Sequence, residues 1–377
     1  VTGTGRLWVG LGSTFGALAT ALVVGGGFVY TGQLLPASAR DRTLDTTATL
    51  ADDGTVRLPA ERRACLEHIG LLLPDGYVRI GGPVEGTCDG DGTVVRTVLA
   101  IDEGDPATGV TQPARFDEYI WHGPPSRVGL SFEDVVVPTE RGDAPAWLLP
   151  GEGDRWAIVV HGRTGTREES LRILPTLVAH GLHTLAITHR NDFAGGPPAA
   201  DGTGRYGASE WPDLAAAVDW ARARGARDIV LVGFSQGGSL IGYLLRERGP
   251  DHIAGIVLDS PLLSLPETLV LQARRRNIPG PIVPPILFGT QQVARLQADF
   301  DVADVEHVDT FAGSDVPLLL FHGPGDDFVP VGPSDRLAAA RTRAMTYERL
   351  PTAGHVEGFN ADADRYTTAV TRFLEGL

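Results

Sequence analysis

The chain contains no lysine: all 32 basic residues are arginine, set against 47 acidic ones for a formal net charge of −15. Binding nucleic acid needs a basic face that neutralises phosphates, and no such run is present, which argues against that class of partner. Two cysteines, Cys65 and Cys88, are too few for a zinc ribbon or a disulfide-dense scaffold, though they permit one bridge. Charge is missing altogether between Leu7 and Tyr30, a stretch of 24 residues flanked by Arg6 on one side and Arg40, Asp41 and Arg42 on the other. A helix of that length rises roughly 36 Å, enough to cross a hydrocarbon core of about 30 Å. The expectation is a single-pass membrane anchor, a helix over about 7–30. A cleaved secretory signal ending at Ala37-Ser38-Ala39 is the rival, but its apolar region should span only about 7–15 residues. A buried core helix would show a polar face, and none is visible. The flanking arginines give little bias of orientation.

At 377 residues and 42% hydrophobic content the chain can bury a sizeable core. After a linker to residue 43, residues 44–127 read as a β-rich subdomain. Asp52-Asp53-Gly54, Pro74-Asp75-Gly76, Gly81-Gly82-Pro83 and Asp89-Gly90-Asp91-Gly92 are turn chemistry, and Tyr77–Ile80 and Val94–Ile101 are strand-like. Both cysteines lie here. An oxidising exterior would let them pair; otherwise they are small buried hydrophobes.

Residues 128–377 change character. Gly129–Thr139 and Ala144–Leu149 form an opening hairpin, after which strands and helices alternate: Trp156–Val160, a helix over Glu168–His180, His183–Thr188, a helix over Glu210–Arg224, Ile229–Val232, Ile253–Leu258 and Val316–Phe321. Alternation of this kind builds a mostly parallel sheet with helices on both faces and ligands at the carboxyl ends of the strands. It lapses over 262–313, where Pro266, Pro279, Pro281, Pro284 and Pro285 break the chain into short pieces. A connection that long has structure or function of its own, and the segment is expected to be a small lid.

Gly233-Phe234-Ser235-Gln236-Gly237 sits between a buried β-branched run and the helically spaced Leu240, Ile241 and Leu244. It fits the G-x-S-x-G turn, in which a strand bends sharply into a helix and exposes the serine hydroxyl. Side chains at 233 and 237 would collide with the crossing elements, so glycine is required. A hydroxyl at its free pKa is a poor nucleophile and needs a base, which in turn needs an orienting group. His355, in Gly354-His355-Val356-Glu357, lies in a loop between strand-like Met345–Leu350 and the final helix. His161, His180, His183, His189, His252, His307 and His322 mostly fall inside elements or before the turn. Asp326 follows a buried strand in His322-Gly323-Pro324-Gly325-Asp326-Asp327-Phe328-Val329-Pro330, with Asp327 and Asp259 as rivals.

The order Ser, Asp, His and the H-G-x-x-D-x-x-V-P pattern resemble serine α/β-hydrolases, in particular dienelactone-hydrolase-like and prolyl-oligopeptidase-like members, over about Gly129–Leu377. The whole chain also looks like uncharacterised membrane-anchored actinobacterial hydrolases. The resemblance implies an α/β-hydrolase fold with a Ser235–His355–Asp326 triad. It also implies an oxyanion hole from the backbone N–H groups of Gln236 and of Arg163, the latter in His161-Gly162-Arg163-Thr164-Gly165. The Arg163 side chain could meet an anionic substrate group or be structural, and Thr188–Asp192 could line the site or tie loops together. The expected activity is hydrolysis of small-molecule or lipid-like carboxylic esters, with no metal or cofactor, by a domain held outside the cytoplasm at the cell membrane. Peptidase or thioesterase activity, or a non-catalytic membrane-tethered binding protein, are the alternatives.

Overall fold

The computed structural model describes residues 25–29, 31–32, 34–35, 42–88, 92–341 and 343–377. The membrane anchor expected over 7–30 lies largely outside them. Among the described residues no helix is long and apolar enough to cross a membrane. Residues 25–29 are helical, and the apolar pair Leu34 and Leu35 that follows is buried against Tyr243, Leu262 and Leu265. Thr31 Oγ1 donates to the Thr290 carbonyl at 3.3 Å.

The β-rich segment closes into a six-stranded antiparallel barrel. Its strands are β1 (Thr46–Leu50), β2 (Thr55–Pro59), β3 (Ile69–Leu73), β4 (Gly76–Glu85), β5 (Thr93–Gly104) and β6 (Thr111–Asp117), in the order β1-β2-β5-β4-β3-β6. Closure comes from the pairing of β1 with β6, which leaves no open edge. Alternate residues such as Val56, Leu58, Leu71, Val78, Ile80, Val94 and Phe116 fill the interior. Arg96 is also buried there, and its guanidinium donates to the carbonyls of Ala64, Glu67 and Gly82. Cys65 and Cys88 form a disulfide with Cα atoms 5.9 Å apart.

An eight-stranded sheet follows: β7 (Glu133–Thr139), β8 (Gly142–Leu149), β9 (Arg155–Val160), β10 (His183–Ile187), β11 (Asp228–Phe234), β12 (Ile253–Asp259), β13 (Leu318–His322) and β14 (Met345–Arg349). The spatial order is β14-β13-β12-β11-β9-β10-β8-β7. The pairings among β9 to β14 are parallel, whereas β8 is antiparallel to both its neighbours. Ile229–Val232 lie at the centre and are almost wholly buried, as a strand covered on both faces must be. Helices Trp211–Arg222 and Gln236–Arg248 cover one face, and Leu174–Ala179 and Ala363–Glu375 the other. The last buries Tyr366, Val370 and Leu374, one turn apart.

Two expectations change. Glu168–His180 is not one helix but a 3₁₀ turn, Arg167–Arg172, followed by helix Leu174–Ala179 with Pro175 in its first turn. Proline has no N–H to continue a ladder from the preceding turn. The 262–313 segment forms helices Leu265–Arg275 and Val283–Ala298 with shorter turns, packed in a cluster with Leu34, Leu35, Tyr243 and Val329. Among the described residues, the cleft beside Ser235 takes no wall from it; its wall comes from the barrel through Arg63, Arg115, Glu118 and Tyr119.

Candidate active site

Ser235 stands between β11 and helix Gln236–Arg248 at φ 48°, ψ −113°, a conformation costly for a residue with a side chain. The crossing explains both glycines of the turn. A Cβ on Gly237 would lie 2.3 Å from the Val160 carbonyl oxygen, and one on Gly233 2.8 Å from the Gly237 carbonyl carbon. Neighbouring backbone holds the turn in place: Ser235 N–H donates to the Asp259 carbonyl (3.0 Å), and its own carbonyl accepts from Leu262 N–H (2.9 Å).

Three loops converge there. His355 Nε2 is 2.9 Å from Ser235 Oγ, and His355 Nδ1 is 2.7 Å from Asp326 Oδ2. Asp326 Oδ1 accepts from the N–H groups of Phe328 and Val329, each at 2.8 Å, and Oδ2 also lies 3.1 Å from His322 Nε2. Burial alone would raise the Asp326 carboxyl, but charge on His355 and the bonds from His322 and His355 hold it well below the usual range. Burial opposes a charged His355, while the Asp326 carboxylate raises its pKa above the ordinary 6.5. The arrangement can therefore accept a proton from Ser235 and store it beside a carboxylate.

The loop after β9 runs against the serine: a Cβ on Gly162 would meet Ser235 Cβ at 3.0 Å. Gly162 N–H donates to buried Glu169 Oε2 (2.7 Å), and the Gly162 carbonyl accepts from His161 Nδ1 (2.8 Å) and Gly165 N–H (3.1 Å). In a trans peptide the next N–H points opposite that carbonyl, so these bonds fix the direction of the Arg163 N–H. His161 forms an ion pair with buried Asp192 at 3.0 Å. Burial works against its charge, but Asp192 raises its pKa, whereas burial and the His161 charge push stacked His189 down to about 4. The Arg163 guanidinium donates to the Leu34 carbonyl (2.8 Å) and covers the Tyr206 ring, a structural use. In Thr188–Asp192 the structural reading also prevails for Arg190, which makes a two-point pair with Asp213.

The rival carboxylates border the site but are engaged with other partners. Asp259 is buried, with Oδ1 accepting from Ser260 Oγ at 3.1 Å, and Asp327 pairs with Arg275 at 2.6 Å. Ser239 and His307 form a second serine–histidine contact at 2.9 Å, but both are wholly buried, and burial pushes His307 down to about 3. Sequence reasoning missed Glu169, His322 as the second partner of Asp326, and Glu357. His322 opens the H-G-x-x-D motif and was visible in principle; Glu169 and Glu357 carry no local signature.

Comparison with known proteins gives the same fold. Residues 157–280 match the α/β hydrolase fold family. An uncharacterised protein of Mycobacterium tuberculosis (strain H37Rv) is 29% identical over 249 residues, 64% of this chain and 78% of that protein. An esterase of Pyrococcus furiosus superposes with a TM-score of 0.54 at 21% identity, covering 68% of this chain and 95% of that one. A serine hydrolase of Cycloclasticus zankles gives 0.50 at 14% identity, covering 65% and 99%. At these identities the likeness to the solved structures carries the fold alone.

Proposed function

For a chain that carries the α/β-hydrolase fold, we propose carboxylic ester hydrolysis through an acyl-enzyme. The observation that supports this most is the unbroken chain of contacts from Ser235 Oγ through His355 to Asp326, at 2.9 and 2.7 Å. His355 takes the Ser235 proton as Oγ attacks the ester carbonyl carbon, and the carbonyl oxygen becomes an oxyanion facing the N–H groups of Gln236 and Arg163. Asp326 stabilises the imidazolium and fixes its tautomer. His355 then protonates the departing alkoxide, and water deprotonated by His355 releases the acid and restores Ser235.

The cleft, about 360 Å³, carries the charged side chains of Arg63, Arg115, Glu118, Arg163, Glu169 and Asp327 in its walls, with Tyr119 and Phe328 as its aromatic surfaces. That supports a short, polar ester in preference to a long acyl chain. The disulfide and the uncharged Leu7–Tyr30 stretch support a tethered enzyme in an oxidising compartment. Protease accessibility of the barrel on intact cells tests the side of the membrane. The activity is tested with p-nitrophenyl esters of graded chain length. Acetate and butyrate should turn over faster than decanoate, and His355→Ala should abolish turnover. Equal rates in His355→Ala, or turnover of peptides or thioesters in place of esters, would overturn the reading.

A further inference from the structure

The loop that carries His355 is held from two sides. From the hydrolase domain, Val356 N–H donates to Ser260 Oγ (3.0 Å), and the buried Arg172 guanidinium donates to the Val356 carbonyl and to Asn360 Oδ1. From the other side comes the barrel, whose attachment is concentrated on residues 352–363. Glu357, two residues after His355, has a fully buried side chain. Its carboxylate accepts from Arg62 Nη1, from Arg63 Nε at 3.1 Å and from Gly354 N–H at 2.8 Å. Arg62 also donates to the Thr352 carbonyl at 3.0 Å. Gly354 leaves the space for this: a Cβ there would lie 2.7 Å from Glu357 Oε2 and crowd the Arg62 guanidinium. Both arginines stand on one 3₁₀ turn, Arg62–Cys65.

That turn is itself rigidly built. The Cys65–Cys88 disulfide ties its end to the segment after β4, and Arg96, buried inside the barrel, donates to the Ala64 carbonyl. The contact continues beyond it. Asn360 Nδ2 donates to the carbonyls of His68 and Glu118 at 3.0 Å each, and Ala363 N–H donates to Glu67 Oε2 at 2.8 Å. The Pyrococcus esterase aligns over 95% of its length with only 68% of this chain, so about a third of this chain has no counterpart in it.

We infer that Arg62 and Arg63 of the barrel are positioning residues, which act through buried Glu357 to hold His355 against Ser235. The barrel is thus part of the working site as well as one wall of its cleft. A buried carboxylate without a partner is strongly disfavoured, so loss of both arginines must displace Glu357 or protonate it, and His355 lies two residues away. This rests on the triad reading above, and the test separates the two.

The full-length chain is compared with Arg62→Ala, Arg62→Ala/Arg63→Ala, the same pair combined with Glu357→Gln, and Arg62→Lys/Arg63→Lys. Arg57→Ala, an exposed barrel residue, is the control. Rates are normalised to sites titrated with a fluorophosphonate. Arg62, which does not line the cleft, should cost kcat at least threefold with KM within twofold. The double alanine variant should lose at least tenfold in kcat. Adding Glu357→Gln should recover at least threefold over it, because no charge is then left unpaired, and the lysine pair should stay within threefold of wild type. The far-downfield proton resonance of the His355–Asp326 bond should weaken in the double variant and disappear in His355→Ala, a readout that does not depend on the substrate. A double variant with kcat within twofold and an unchanged resonance would overturn the inference. So would a loss confined to KM or to the number of titratable sites. If wild type neither turns over esters nor reacts with the probe, the esterase reading fails, and the resonance alone decides the clamp.

Discussion

Asp259 ends the strand beside the nucleophile strand, where a triad acid could also stand, and its carboxyl offers a quantitative check on the assignment. Burial, the largest influence, pushes it up to about 6 from 3.8, even with Arg172 nearby. A carboxyl whose folded pKa is raised is bound to its proton more tightly in the native state. Its contribution to stability is therefore greatest at low pH and declines as pH rises from about 4 through about 6. A displacement of about two pH units at ~1.4 kcal/mol each amounts to about 3 kcal/mol at pH 8. Asp259→Asn keeps an acceptor for Ser260 Oγ and removes the ionisation. Urea unfolding at pH 8 should show a gain of up to about 3 kcal/mol, shrinking to well under ~1 kcal/mol at pH 4. Ester turnover should stay within twofold. An equal stability change at both pH values would refute the burial argument. A hundredfold loss of turnover in a stable variant would make Asp259 the triad acid.

Asp326→Asn should cut kcat by about 10⁴, the scale of losing the orienting carboxylate in serine triads. In wild type the acid limb of kcat/KM should lie above pH 6.5, because His355 must be neutral to act and Asp326 raises its pKa. In the variant the surviving limb should move down, since burial is then opposed only by the weaker pull of Glu169 and Glu118; a limb that stays put would remove Asp326 from contact with the base. The same pair has a stability signature. The His355 contribution is full below about pH 6.5 and fades as pH rises through its raised pKa, and the Asp326 contribution is present above about pH 4 and fades at strongly acid pH. Gly237→Ala should destabilise the fold by about 3 kcal/mol, because its Cβ meets the Val160 backbone and neither element can yield cheaply; normal stability would mean that the turn is looser than described. Ser239→Ala should leave kcat within twofold, as expected for a buried structural contact to His307.

The candidate site was legible in the sequence where chemistry and backbone geometry coincide locally. The glycines at 233 and 237 announce a crossing that only they can occupy, and Asp326 and His355 each follow a strand-like run that delivers them to the same rim. Long-range features were not legible. Nothing near Glu357 announces that it meets Arg63, 294 positions away, since that contact depends on barrel docking and not on local propensity. Barrel closure likewise depends on β1 meeting β6 across the whole subdomain. The 262–313 segment looked like the cover because its prolines and length set it apart. In the fold it braces the site from behind: Gln272 donates to the carbonyls of Asp327 and Phe328, Arg275 pairs with Asp327, and Leu262 N–H donates to the Ser235 carbonyl. The Pro175 break was visible, but the apolar spacing around it read as a single helix.

The most direct measurement is the location of covalent modification by a fluorophosphonate. Trypsin, with only arginine to cut after, should release Asp228–Arg246 as one peptide holding both Ser235 and Ser239. Fragmentation should place the adduct on Ser235, with labelling abolished in His355→Ala. An adduct on Ser239 or elsewhere in the chain, or undiminished labelling in His355→Ala, would contradict the account.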